Sequence, residues 1–174
     1  LIVGGSQGAR VFGTIIPESI TTLPLELRQK LIIAHQARPE DLEHVKSMYL
    51  GVGMSADVRS FFDDMPARLE KAQLLITRSG ASTVAELAAS GRPAIYVPFP
   101  WNRDLQQVFN AENLVKAGGG WMILEQDLTV NALQTQLKTL LENPEILENA
   151  AKAAYLQAQP EAAPKLADMI AEFY

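Results

Sequence analysis

Leu74-Leu75-Ile76-Thr77-Arg78-Ser79-Gly80-Ala81-Ser82-Thr83-Val84-Ala85-Glu86-Leu87-Ala88 reads as a short apolar run, a turn of small residues and the opening of a helix. The first four residues have strand length, and Val84, Leu87 and Ala88 fall at helical spacing. The same order of parts recurs along the chain. Apolar runs stand at Leu1–Val3, Leu31–Ala34, Asp57–Phe61, Leu74–Thr77, Ala94–Val97 and Trp121–Leu124, with helix-spaced segments such as Leu42, Val45, Met48 and Tyr49 between them. Strands that alternate with helices imply βα units and a parallel sheet buried on both faces. Right-handed crossovers then make the expected fold α/β: a Rossmann-like, doubly wound, six-stranded parallel sheet.

Past Leu124 the pattern turns helical. Val130–Leu141 predicts one helix, with Asp127 or Thr129 as its cap, and Asn143-Pro144 predicts a capped start for the next. Pro160 and Pro164 interrupt the approach to a last helix ending near Tyr174. Its Leu166, Met169, Ile170 and Phe173 predict one face packed on something.

Composition narrows the function. The chain has 174 residues, 48% hydrophobic and 20% charged, which suits one globular domain or one lobe of a larger enzyme. It has no cysteine, which excludes disulfides and thiolate chemistry and fits a reducing compartment. A net charge of −5 argues against a nucleic-acid partner. No apolar run approaches the roughly 20 residues that span a bilayer, and no signal peptide is visible. The abrupt opening on the apolar Leu1-Ile2-Val3, without a methionine, predicts a piece of a longer protein whose N-terminal part is absent.

In an open parallel sheet, ligands bind beyond the carboxyl ends of the strands. Three such places carry candidate chemistry. Gly4-Gly5-Ser6-Gln7-Gly8-Ala9 follows the first strand: glycines let the backbone approach closely, Ser6 offers a hydroxyl, and a helix start favours an anion. A tight turn that needs glycine only for space explains the same residues.

Arg78-Ser79-Gly80-Ala81-Ser82-Thr83 opens a helix whose first amides can face a phosphate. Glu86, one turn on, can accept bonds from the vicinal hydroxyls of a ribose. The alternative is a capping box, with Ser82 or Thr83 at the cap and Glu86 closing back on it. In the third place, Gln106, Gln107 and Asn110 follow the stiff Val97-Pro98-Phe99-Pro100 exit. Their amides suit sugar hydroxyls, or form the polar start of a surface helix.

Other candidates are bland. His35 and His44 lack partners at metal-ligand spacing, so no metal site is expected. His35 reads as a strand-end histidine, Asp63-Asp64 as a helix cap, and Trp101 and Trp121 as packing residues. No nucleophile elbow or triad is present.

Taken together, five blocks resemble the MurG-type cell-wall transferases of glycosyltransferase family 28. They are Gly4 to Arg10, Phe62-Asp63-Asp64-Met65, Arg78 to Glu86, Pro93 to Pro100, and Asp104-Leu105-Gln106-Gln107 with Asn110-Ala111. The resemblance covers the whole chain and implies the C-terminal lobe of a two-lobed GT-B enzyme. It implies a donor-binding domain for UDP-N-acetylglucosamine over residues 1–174, and an acceptor domain for lipid I outside this chain.

By resemblance, Gly5, Ser6, Gln7 and Gly8 touch the diphosphate, and Phe62 reads the uracil edge through its backbone. Ala81, Ser82 and Thr83 match the turn around the phosphates, Arg78, Ser79 and Gly80 lead into it as further substrate-binding candidates, Arg78 with no particular role assigned, and Glu86 binds the ribose. Gln106 and Gln107 lie near the sugar, and Asn110 is a further substrate-binding candidate. The implied reaction is inverting N-acetylglucosamine transfer to lipid I, forming lipid II in peptidoglycan synthesis, without metal or cofactor. The general base is implied to belong to the missing lobe, so donor binding without turnover is expected here. The missing lobe is also implied to carry most of the attachment to the cytoplasmic face of the inner membrane.

This sequence departs from the family pattern at Ala37-Arg38, Ser82 and Trp101-Asn102. Two other readings remain: the donor domain of another UDP-sugar enzyme, such as a diacylglycerol glycosyltransferase or UDP-N-acetylglucosamine 2-epimerase, and a non-catalytic nucleotide-binding module.

Overall fold

The computed structural model describes residues 1–5, 9–100 and 105–171. Six strands form one sheet: β1 (Ile2–Val3), β2 (Ile33–Gln36), β3 (Ala56–Arg59), β4 (Leu75–Thr77), β5 (Ala94–Tyr96) and β6 (Gly120–Met122). Their order is β3-β2-β1-β4-β5-β6 and every pairing is parallel. The sheet is therefore doubly wound, and its order reverses at β1, between β2 and β4.

The helices are α1 (Ile15–Thr21), α2 (Leu25–Arg28), α3 (Leu42–Gly51), α4 (Met65–Lys71), α5 (Ala81–Ala89), α6 (Gln106–Lys116), α7 (Val130–Glu142), α8 (Pro144–Leu156) and α9 (Ala162–Ala171). On one face α1 packs against α3 and α7, and on the other α5 packs against α6 and α8. The core divides accordingly. Phe12, Ile16, Val45, Tyr49, Leu133 and Leu137 fill one side, and Leu75, Leu87, Tyr96, Leu114 and Ala154 the other. Strands buried on both faces need no polar alternation, which is why they read as plain apolar runs.

Several boundaries differ from expectation. The second strand is Ile33–Gln36 rather than 31–34, because the Leu31 N–H turns back to the Arg28 carbonyl at 3.1 Å and Ile32 is 97% exposed. His35 therefore lies inside β2, not after it. The third strand ends at Arg59, so Phe61 is exposed while Phe62 is buried. After Gly5 and Ala9 the chain makes a short 3-10 turn at Arg10–Gly13 before α1, where a helix directly after the glycines was expected.

The Thr129 hydroxyl caps α7 by accepting the Ala132 N–H at 3.1 Å. Asn143 stands at the start of α8 but turns its Nδ2 back to the Thr139 carbonyl, so it gives no side-chain cap. The predicted packing face of α9 carries Leu166, Met169 and Ile170, each more than half exposed. No described residue covers it, and Phe173 and Tyr174 lie outside the described residues.

Two glycines are dictated by local geometry. Gly5 has φ +83°, a conformation that side-chain-bearing residues rarely adopt. A Cβ on Gly120 would sit 2.6 Å from the Ala94 carbonyl oxygen and 3.0 Å from the Tyr96 ring.

Candidate functional site

The strand reversal leaves a cleft of about 420 Å³ at the carboxyl edge, on the face that carries α4 and α5. Val3, Gln36, Leu75 and Thr77 form its floor, the loop after β3 and α4 supply Phe61, Phe62, Met65 and Leu69, and α5 supplies Thr83, Glu86 and Leu87. Gly5 closes the remaining side. The walls are apolar with few polar groups, the usual make-up of a small-molecule site.

Phe62 is buried and held from behind. The Arg68 guanidinium lies 3.9 Å from its ring centroid, and Arg68 also bonds Asp64 at 2.6 Å and Asp57 at 2.8 Å. Asp64 thus begins α4 as an ion-pair partner and makes no side-chain cap, contrary to the capping role expected for this pair. The Arg68 bond holds the Asp64 carboxyl below its usual range.

The second turn departs from the capping-box alternative. The N-cap of α5 is Gly80, without a side-chain cap bond, so Ser82 and Thr83 lie inside the first turn. Glu86 is six residues past the cap, too far to close back on it. Its carboxylate is exposed, on the ridge between this cleft and a groove lined by Ala81, Asn110 and Pro160. The first helical bond runs from the Val84 N–H to the Gly80 carbonyl at 3.0 Å, which leaves the amides of Ala81, Ser82 and Thr83 without an intrahelical acceptor. Such an end attracts an anion.

Around this turn, several predicted ligand contacts are already engaged with the protein. Arg78 is buried, donating Nη1 to the carbonyls of Val97 (3.0 Å) and Pro98 (3.1 Å) and pairing Nη2 with Glu125. Its guanidinium also lies near the rings of Phe12 and Phe99. Arg78 therefore acts as a clamp on the exit of β5. Gln107 accepts the backbone N–H of Ser79 (3.3 Å) and of Phe99 (3.0 Å) through Oε1, and Asn110 donates Nδ2 to the Ser79 carbonyl at 3.0 Å. These two side chains staple the β4 and β5 exits to α6. Gln106 is exposed at the first residue of that helix. Ser79 is fully buried, and its Oγ has no hydrogen-bond partner.

Of the predicted residues, the cleft brings Gly5, Phe62, Thr83 and Glu86 together. Ser79, Gly80, Ala81, Ser82, Gln107 and Asn110 build the turn beside it, and Ser6, Gln7 and Gly8 lie outside the described residues. Sequence reasoning missed Gln36, on the cleft floor. The available signal was alternation: adjacent strand residues face opposite sides, so a His35 directed to α3 sends Gln36 to the face of α4 and α5. The His35 Nδ1 does meet the Tyr49 hydroxyl at 3.0 Å, and burial pushes His35 down to about 4. Among the described residues no three His, Cys, Asp or Glu side chains gather as a metal site.

The fold is a doubly wound α/β domain whose carboxyl edge carries a largely apolar cleft beside a helix start with open amides. The chain belongs to the glycosyltransferase family 28 C-terminal domain family, whose pattern matches residues 1–168. It is 48% identical over 170 residues to the UDP-N-acetylglucosamine–N-acetylmuramyl-(pentapeptide) pyrophosphoryl-undecaprenol N-acetylglucosamine transferase of Rhodospirillum rubrum, covering 98% of this chain and 44% of that protein. The protein of the same name from Paramagnetospirillum magneticum is 45% identical, with 98% and 46% covered. This chain therefore spans under half the length of these relatives.

Among solved structures it superimposes on Acinetobacter baumannii MurG with a TM-score of 0.90 at 31% identity, covering 98% of this chain and 51% of that one. The UDP-GlcNAc 2-epimerase of Neisseria meningitidis, bound to UDP-GlcNAc, matches at a TM-score of 0.67 over 98% of this chain and 42% of that one. At 14% identity it shares the fold alone.

Proposed function

We propose that this chain is the donor-binding domain of an inverting glycosyltransferase that moves N-acetylglucosamine from UDP-N-acetylglucosamine to lipid I, forming lipid II. The observation that carries the reading is the meeting of Gly5, Phe62, Thr83 and Glu86 around one apolar cleft at the strand reversal. The names of the relatives supply the substrates.

In this reading the uracil lies between Phe62 and the α5 wall, its edge read by the backbone at Phe62. The Glu86 carboxylate takes the ribose hydroxyls, an orientation its exposed, uncapped position leaves open. The diphosphate rests between the Gly5 turn and the free amides of Ala81, Ser82 and Thr83. Those fixed dipoles stabilise the charge that develops on the leaving diphosphate, so the proposal invokes neither metal nor cofactor. Gln107 holds the turn through its oxygen and keeps its Nε2 to donate toward the sugar, alongside Gln106. Arg78, Gln107 and Asn110 act as positioning residues.

Residues 1–174 form the donor half in this proposal, and the rest of the longer protein supplies the lipid acceptor site and the general base. The isolated chain then binds donor without turnover. Among the described residues no helix is long and apolar enough to cross a membrane. The proposed site of action is the cytoplasmic membrane face, reached mainly through the other lobe.

A calorimetric donor panel tests the reading. UDP-N-acetylglucosamine is expected to bind more tightly than UDP-glucose or UDP-galactose; a preference for either of the latter overturns the assigned sugar, and no binding of any donor overturns the reading.

A further inference from the structure

Gln36 ends β2 with its side chain on the cleft floor, and the residue is only 7% exposed. Its Nε2 donates to the Ser60 carbonyl at 3.2 Å, while its Oε1 is buried without a hydrogen-bond partner. The amide orientation follows from chemistry: a carbonyl can only accept, so the nitrogen must face Ser60, and the oxygen is left unpaired in the residue that floors the cleft. The neighbouring Val3, Phe62, Met65, Leu69, Leu75 and Leu87 side chains carry no donor. A buried acceptor left unpaired is costly, so its complement is expected in the ligand.

We infer that Gln36 is a specificity-determining residue whose Oε1 accepts a hydrogen bond from the bound nucleoside. This rests on the proposal that the cleft holds a nucleoside. The donor is the base N–H, shared with the Phe62 backbone, or a ribose hydroxyl, shared with Glu86. It is not the diphosphate, whose oxygens an amide oxygen repels. A base or sugar with only acceptors at that edge leaves Oε1 orphaned and binds poorly. Gln36 also fixes the Ser60 carbonyl at the start of the segment leading to Phe62, so one amide links the loop beside the base to the ligand itself.

The test is a binding matrix by calorimetry: the wild-type chain and Gln36→Met against UDP, N3-methyl-UDP and 2′-deoxy- and 3′-deoxy-UDP. Gln36→Met is expected to weaken UDP about 5- to 10-fold, the usual worth of one such bond. The analogue that lacks the partnered donor is expected to cost the wild type a similar factor and Gln36→Met nothing further. The methylated base and the deoxy sugars thereby tell the two sources apart. Unchanged UDP affinity in Gln36→Met overturns the inference. So does an equal loss against every ligand, which marks a loop tether and nothing more. Failure of the wild type to bind UDP sinks the nucleotide reading itself. Should Gln36→Met not fold, the Gln36 side-chain amide signals of the labelled wild type are expected to move on adding UDP, and unmoved signals overturn the inference.

Discussion

Arg78 and Glu125 form an ion pair across 47 positions of sequence, with the Arg78 Nη2 2.5 Å from the Glu125 Oε2. The pair ties the exit of β4 to the turn after β6, while the other terminal nitrogen of Arg78 holds the carbonyls after β5. Three strand exits are thus fixed by one planar guanidinium.

Removing one partner leaves the other short of its counter-charge in a mostly desolvated place. Glu125→Ala is expected to lower unfolding free energy by about 1–3 kcal/mol, less than a fully buried pair costs because Glu125 keeps some solvent contact. Arg78→Lys is expected to cost at least as much, since an ammonium lacks the fork that reaches two carbonyls and a carboxylate. Urea denaturation measures both; wild-type midpoints would show that the clamp contributes little.

Glu86→Ala separates binding from stability. The carboxylate caps nothing, so the thermal midpoint should stay within a degree or two of wild type, the usual effect of a neutral surface change. UDP affinity should fall by about 1–3 kcal/mol, the scale for a charged hydrogen-bond partner lost. A lower midpoint with unchanged affinity would return Glu86 to a structural role.

Gly120→Ala tests the packing of β6 on β5. The added methyl would meet the Ala94 carbonyl oxygen at 2.6 Å, and backbone cannot yield as a flexible side chain does. Overpacking of this kind is expected to cost about 1–3 kcal/mol in a denaturant melt. A wild-type melt would mean that β6 shifts freely.

The six strands and their order of appearance were legible because a sheet covered on both sides must be apolar throughout, and each run was bounded by turn residues. The ends were less legible. Leu31 and Ile32 are as apolar as Ile33, yet a turn bond from Leu31 to Arg28 takes them out of the sheet. The candidate turns were visible as glycine and small residues at strand exits. Which side chains are consumed in holding them was not, because the Gln107 bonds to Ser79 and Phe99 and the Arg78 clamp depend on how distant segments meet. Gln36 is not marked by composition: His35 and Gln36 are adjacent polar residues at a strand end, and only the strand direction shows which of the two faces the cleft.

Acid should destabilise the fold through His35. Burial lowers its folded value from 6.5 to about 4, so between those values the unfolded chain binds the extra proton. Stability is full above the unfolded value and declines as pH falls from about 6.5 toward 4. The loss approaches about 3 kcal/mol at roughly 1.4 kcal/mol per unit. Denaturant midpoints across that range measure it, and His35→Gln should flatten the slope; an equally steep slope in that variant would assign the effect to other groups.

In the proposed site the exits of β1 and β4 share one diphosphate while Phe62 and Glu86 hold its nucleoside. Titrating the isotope-labelled chain with UDP-N-acetylglucosamine, followed residue by residue by NMR, tests this most directly. The amides of Gly5, Phe62 and Gly80 to Glu86 are expected to move together along one saturating curve. Shifts confined to the opposite edge of the sheet, around Leu31 and Leu140, or signals at the cleft unmoved at saturating ligand, would contradict it.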